Sequence, residues 1–397
     1  MSIQTPFSRE ELVPKEEILL VSKKSGSLKI GIPKEENPLE KRICLTPDAV
    51  ETLCLQGHQI QVETGAGEKS NFSDLQYAQA GAEIVSSHKK IFENPLVLKI
   101  APLSLEEIDF CKPTTMVISE IQAYCCKKEN LEAMLSKKIT ALAFEYIQDH
   151  HKQLPLVRLL GEITGTSAIL IGAEIMSSTH GAGILMGSVA GLRPTEVVIL
   201  GAGTVGEYAT KAALGLGTSV RVFDKSVSRL RRLQNILGQK ISTSIFDPKE
   251  LKKALMRCDL AIGALRSEVR SPSLVDQEMI QNMKKGSVIV DVSINTGGCF
   301  ETSEITTLTE PTFEKHGVTH YGVPNITSKY ARTTSKALSN FFLQFLLDIQ
   351  DEGGFETAFK TKTGLKHGIY LHKGKTTNYQ IGKWHDLPYF NIDLLLT

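Results

Sequence analysis

With 397 residues, 41% of them hydrophobic and 22% charged, the chain is long enough for two or three domains that each bury a core, and it needs no staples to fold. Its 45 basic and 44 acidic residues leave a formal charge of +1, which excludes the electrostatic footprint of a nucleic-acid or membrane-surface protein. The seven cysteines are scattered, without C-x-x-C or Cys/His ligand spacing, so they read as reduced thiols in a cytoplasmic protein with no metal.

The N-terminal stretch MSIQTPFSREELVPKEEILLVSKKSG mixes acids with bases, lacks the apolar run of a signal peptide and reads as a loose extension. No segment reaches the ~18 consecutive apolar residues of a membrane span, so no membrane insertion is expected. From Leu28 onward, short apolar runs bounded by turn residues alternate with helix-like stretches: LKIGIP (28–33), HQIQVETGAG (58–67) and PLVLKIAP (95–102). That alternation is the mark of βα units and parallel sheet. Residues 46–57 read as a helix, with Thr46 as N-cap, Pro47 in the first turn and Gly57 as the stop.

A long helical pattern over 156–178 and the glycine-rich stretch HGAGILMGSVAGLRP (180–194) open a second set of elements. Its strands are VVIL (197–200), SVRVF (219–223), LAIGA (260–264), SVIVD (287–291) and THYGV (319–323). Nearly continuous apolar strands at helix-length separation describe a doubly wound parallel sheet buried on both faces. Residues 333–351 are helical and apolar again, and are expected to return to the first domain.

Directly after VVIL comes Gly201-Ala-Gly203-Thr204-Val205-Gly206, a G-x-G-x-x-G opening a helix. The first glycine permits the tight turn, the second lets backbone approach a pyrophosphate, and the third allows close helix-to-strand packing, with the phosphate on the helix N-terminus. About 20 residues on, the next strand ends at Asp224, whose carboxylate suits the ribose 2′-OH and repels a 2′-phosphate, so the expected cofactor is NAD. Lys225, Arg229, Arg231 and Arg232 follow closely and read either as softening that preference or as a solvated helix face.

Four further stretches, GIPKEENPLEKRICLTPDAV (31–50), GHQIQVETGAG (57–67), ALAFEYIQ (141–148) and VDVSINTGGCFE (290–301), combine with the fingerprint. Together they resemble the alanine dehydrogenase and proton-translocating transhydrogenase alpha-subunit family, over nearly the whole chain from Lys29 to about Asp351. The resemblance implies an α/β protein with two Rossmann-like domains. The NAD-binding domain (156–331) is inserted in a discontinuous substrate domain (1–155 and 332–397), with the nicotinamide at the cleft between them. It implies NAD-dependent oxidation of an amino acid, with L-alanine, NAD and water giving pyruvate, ammonia and NADH, and assembly as a homo-oligomer.

The family arginine that clamps the substrate carboxylate falls on Arg42, where the bland alternative is a surface arginine ahead of a helix. Alanine dehydrogenases carry two lysines in a K-V-K-E-P stretch; here Lys99-Ile100-Ala101-Pro102 is one residue shorter, and Lys99 matches either lysine or stands at a strand end on the surface. The catalytic histidine falls on Gln122, which cannot exchange a proton near neutral pH. The family aspartate falls on Asn295, which hydrogen-bonds but cannot act as a base. Further cofactor contacts implied are Ala264, Leu265 and Asn325, the last also readable as a turn residue after Pro324. Asp291 reads either as a ligand-facing acid at the sheet's carboxyl edge or as a cap of the next loop.

These departures lead to an expectation of weak alanine turnover or an altered amino or keto acid, with a hydride carrier of the transhydrogenase type or a non-catalytic NAD-binding protein as alternatives. Saccharopine-type dehydrogenases share the architecture. Of the ten histidines, none shows a metal or triad spacing, and only His180 is expected near the cleft.

Overall fold

The computed structural model describes residues 26–122, 126–266 and 271–396. Among the described residues, fifteen strands form two sheets. The first holds β1 (Lys29–Ile32), β2 (Gln59–Glu63), β3 (Glu83–Val85), β4 (Leu96–Leu98), β5 (Met116–Ser119) and β6 (Thr140–Ala143). The second holds β7 (Glu196–Leu200), β8 (Ser219–Phe223), β9 (Ser242–Ser244), β10 (Leu260–Gly263), β11 (Val288–Asp291), β12 (Thr312–Lys315) and β13 (Val318–Tyr321). The chain then returns to the first sheet with β14 (Ile369–His372) and β15 (Lys375–Thr376), β14 pairing antiparallel with β6.

Strand order is β15-β14-β6-β5-β4-β1-β2-β3 in the first sheet and β12-β13-β11-β10-β7-β8-β9 in the second. Every pairing from β1 to β11 is parallel, and both orders reverse beside the first strand of their half, the arrangement that opens a crevice at the carboxyl ends of the strands. The second sheet is larger than the apolar runs foretold. Polar β9 extends one edge, and β12 adds an antiparallel ribbon to the other.

Burial explains the order. The helix Ala331–Asp351 lays Leu338, Phe342, Leu346 and Ile349 against Ile30, Ile32, Leu45 and Leu53 of the first sheet's core, so the C-terminal segment is held there by a shared apolar layer. The helix Pro47–Leu55 starts at Thr46 as expected, but Thr46 does not cap it through its side chain. Its hydroxyl and amide instead meet the Ser339 hydroxyl at 3.0 and 2.9 Å, pinning the two helices together.

The helix Pro155–Met176 is, among the described residues, the one long and apolar enough to cross a membrane; half of its most apolar stretch is buried inside the fold. Its small residues explain the burial. A Cβ at Gly165 would stand 2.3 Å from the Val205 carbonyl, so the helix Thr204–Gly215 can lie directly on it only because that position is glycine.

Candidate functional site

The nucleotide half begins where β7 ends. Gly201 has φ +115, and a Cβ there would meet the Ala264 carbonyl at 2.5 Å. At Gly206 the added atom would meet the Gly201 carbonyl at 1.8 Å, so the third glycine lets the helix sit on its own turn. In front of Gly203 there is open space, and this residue is the N-cap of Thr204–Gly215 without a side-chain cap, which leaves the amides at Thr204 and Val205 for a ligand. Asp224, 3% exposed at the end of β8, accepts from the Ala202 amide at 2.7 Å and the Ser226 amide at 2.8 Å, fixing its carboxylate beside the turn.

An open cradle, free helix amides and an anchored acid fit a dinucleotide. Of the following basic residues, Arg232 is drawn off by buried Glu207 at 3.1 Å. Ala264 and Leu265 close the turn from the β10 side, with the Leu265 amide donating to Ser293 Oγ at 2.9 Å. Asp291 is a loop cap: it accepts from the amides of Ser293 and Cys299 and from the Ser303 hydroxyl.

Facing this half is a cleft of about 1150 Å³, whose walls include Arg42, Lys99, Gln122, Asn295 and Asn325. The sequence-derived catalytic candidates thus converge on one space. Gly201, Gly203, Thr204, Val205, Gly206, Asp224, Ala264 and Leu265 do not line it, although Arg266, next after Leu265, does.

Arg42 is no surface residue: it is 2% exposed. Its guanidinium forks onto Glu40 (Nε to Oε1 2.8 Å, Nη2 to Oε2 2.7 Å) and also reaches Glu120 at 3.3 Å and the Thr327 hydroxyl at 3.3 Å. Burial alone would lower its pKa, but Glu120 and Glu40 outweigh that and raise it, so the cation is permanent. Lys99 follows β4 directly and is 3% exposed, which removes the surface reading for it as well. Its ammonium lies 2.6 Å from Glu107 and 3.8 Å from Glu35. Burial works against that charge and the two acids prevail, raising its pKa.

Gln122 has φ +45 and donates from Nε2 to Glu120 at 2.9 Å, while Asn295 stands exposed in the turn Val292–Thr296. Asn325 is a left-handed turn residue, and it is also tied, donating to Glu40 at 2.8 Å and accepting from the Thr327 hydroxyl at 2.8 Å.

Sequence reasoning missed the buried acids around these cations. Glu35 receives the Ile100 amide at 2.6 Å, and burial pushes its carboxyl up to about 7. Glu145 receives the Ile121 amide at 2.8 Å; burial, reinforced by the charge of Glu120, pushes it up to about 8. Glu35 and Glu40 lie inside the first quoted motif and Glu145 inside ALAFEYIQ, so position within those motifs was the available signal. His180 is not in the cleft wall; His367 is. Among the described residues, Glu36, His88 and Glu107 bring one ligand-type atom each within 4.8 Å of the others.

The comparisons with known proteins decide the family. Residues 31–164 match the family described as Alanine dehydrogenase/PNT, N-terminal domain, and residues 168–379 match its C-terminal domain. The chain belongs to the alanine dehydrogenase/PNT family. Within this family it is 38% identical over 364 residues to an alanine dehydrogenase of Methanococcus maripaludis, covering 91% of this chain and 97% of that one. It is 35% identical over 370 residues to alanine dehydrogenase 2 of Staphylococcus aureus, covering 92% and 99%. Among solved structures, an L-alanine dehydrogenase superposes with a TM-score of 0.85 at 34% identity, covering 91% of this chain and all of that one. A transhydrogenase from Sinorhizobium meliloti shares the fold, with a TM-score of 0.75 at 24% identity.

Proposed function

We propose that this protein is an NAD-dependent amino-acid dehydrogenase that oxidises L-alanine or a close small analogue to the keto acid and ammonia. The observation that carries the reading is the convergence of two buried cations, Arg42 and Lys99, on the cleft that faces the dinucleotide-type turn. Residues 1–155 with 332–397 serve as the substrate domain and 156–331 as the nucleotide domain. The amides at Thr204 and Val205 and the carboxylate of Asp224 hold the cofactor, with Asn325 at the nicotinamide end. When bound, NAD accepts the Cα hydride; everything else falls to the protein.

Arg42 takes the substrate carboxylate with the guanidinium edge that Glu120 occupies at 3.3 Å, a bond looser than its fork onto Glu40 and so the one displaced. Lys99 faces the substrate nitrogen and carbonyl carbon, polarising the imine and exchanging the proton that Gln122 cannot. Asn295 and Gln122 orient substrate or ribose by hydrogen bonds alone. The reduced thiols support a cytoplasmic location, and exposed Leu185, Val189 and Leu192 in the glycine-rich loop support assembly as a homo-oligomer.

The direct test is NADH formation from NAD and L-alanine at alkaline pH, with pyruvate and ammonium in the reverse direction. Alanine-dependent turnover, slower than the ~10 s⁻¹ typical of enzymes because the family histidine is absent, is expected. No NADH with any small amino acid contradicts the reading. Gln122 favours a second one, a hydride carrier to a partner-bound NADP, which predicts NADH oxidation by that partner and no response to alanine.

A further inference from the structure

Oxidising an amino acid with NAD and water releases one proton per turn, and Gln122 offers no route for it. The structure has an imidazole on the other side of Lys99. His88 opens the helix His88–Phe92, and its Nδ1 lies 2.7 Å from Glu63 Oε2. Its Nε2, buried and without a hydrogen-bond partner, points between Glu36 Oε1 at 3.5 Å and Glu107 Oε1 at 3.8 Å. That Glu107 oxygen is the same atom that receives the Lys99 ammonium at 2.6 Å.

The ring is held in place edge-on to Phe92 and Phe110, and it lines a second cavity of about 470 Å³ that shares Glu35 and Glu36 with the wall of the main cleft. Resting on the dehydrogenase reading, we propose that Lys99, Glu107 and His88 form a proton relay from the cleft to this second cavity, with His88 as the group that exchanges the proton with solvent.

The steps balance. The substrate ammonium gives up one proton before the Cα–H bond breaks and the hydride leaves to NAD. Water then adds to the iminium carbon, its C–O bond forming as a second proton departs. One proton returns to nitrogen as the C–N bond breaks and the hydroxyl proton leaves with ammonia as ammonium, so a single proton remains to be exported. Each departing proton enters at Lys99 as Lys99 passes one of its own to Glu107. Glu107 protonates Nε2 once its side chain closes the 3.8 Å between them to hydrogen-bond distance, and Nδ1 releases toward Glu63 and solvent. Lys99 is an ammonium before and after.

The groups facing the ring are Glu63 on β2, Glu36 in the loop after β1 and Glu107 on Leu105–Phe110, with Lys34, Lys69, Lys89 and Glu106 around the cavity. The hydrogen bond to Glu63 comes first among the effects that raise the His88 pKa above its ordinary value.

The test is His88→Gln, which keeps a side-chain amide for Glu63 and loses the ionisation. The expected result is a fall in kcat for alanine oxidation of about 10-fold or more, an unchanged KM for NAD, loss of the imidazole ionisation from the kcat pH profile, and recovery with imidazole in the buffer. A variant with the wild-type kcat and pH profile overturns the relay, and so does a slower one that keeps the profile and ignores imidazole. A wild type inert on every amino acid sinks the dehydrogenase reading instead. The relay is then judged on the apo protein by the NMR titration of the His88 ring. Glu107→Gln is expected to move that titration to lower pH, and no movement overturns the relay. Zn²⁺ captured by the wild type and not by His88→Gln would make Glu36, His88 and Glu107 a metal site and overturn it too.

Discussion

The cleft is built on buried charge, and individual residues carry it by pairing. Arg42 and Lys99 are affordable in an apolar wall only because Glu40, Glu120, Glu107 and Glu35 stand against them. Glu145 has no such cation paired with it among the described residues, and its pKa rises from 4.5 to about 8. The folded protein therefore holds a proton there that the unfolded chain has lost, and stability from this group falls as pH rises from about 4.5 to about 8, then levels. Glu145→Gln is expected to flatten that slope and to raise Tm at pH 9 relative to the wild type by several °C, read by calorimetry across pH. Gln122→His is expected to raise alanine turnover by about 10-fold or more and to offset the loss in His88→Gln, since it puts a titrating ring in the cleft itself. At this scale the sequence announced the cations, because Arg42 and Lys99 sit in recognisable motifs. It could not announce Glu107, Glu120 or His88, since nothing local distinguishes a carboxylate or imidazole that tertiary packing buries from one left in solvent.

Elements with long apolar runs were legible. The strands at 197–200, 219–223 and 287–291 lie within a residue of β7, β8 and β11, because a parallel strand covered on both faces writes its burial directly into composition. Short and polar elements were not: β3 with a mixed burial pattern, Ser242–Ser244 at an edge, and the hairpin of β14 and β15 have too few residues to show a period. The strand-turn-helix of the nucleotide site belongs to the legible class because its glycines are steric requirements. Gly206→Ala must displace the Gly201 carbonyl from 1.8 Å, so NADH affinity measured by fluorescence or calorimetry is expected to fall about 100-fold or more. Asp224→Ala, which frees the Ala202 and Ser226 amides and removes the charge, is expected to weaken NADH by about 10-fold and narrow its advantage over NADPH.

The whole molecule is two sheets with a cleft between them, and the proposed activity draws on both. Neither the second crossing of the chain, when Ile369–His372 pairs with Thr140–Ala143, nor the contribution of Val323–Thr327 to the wall beside Arg42 follows from local pattern, because each is a long-range contact. The resemblance implied a discontinuous substrate domain, which periodicity alone could not. The central claim is that hydride passes from an amino-acid Cα, anchored through Arg42 and Lys99, to a nicotinamide held by the Gly201–Gly206 turn. Incubating the protein with NAD and L-alanine deuterated at Cα and analysing the dinucleotide by mass spectrometry tests it most directly. Deuterium in the reduced nicotinamide, one atom per pyruvate formed, is the predicted result; reduced cofactor without deuterium, or no reduced cofactor with any small amino acid, contradicts it.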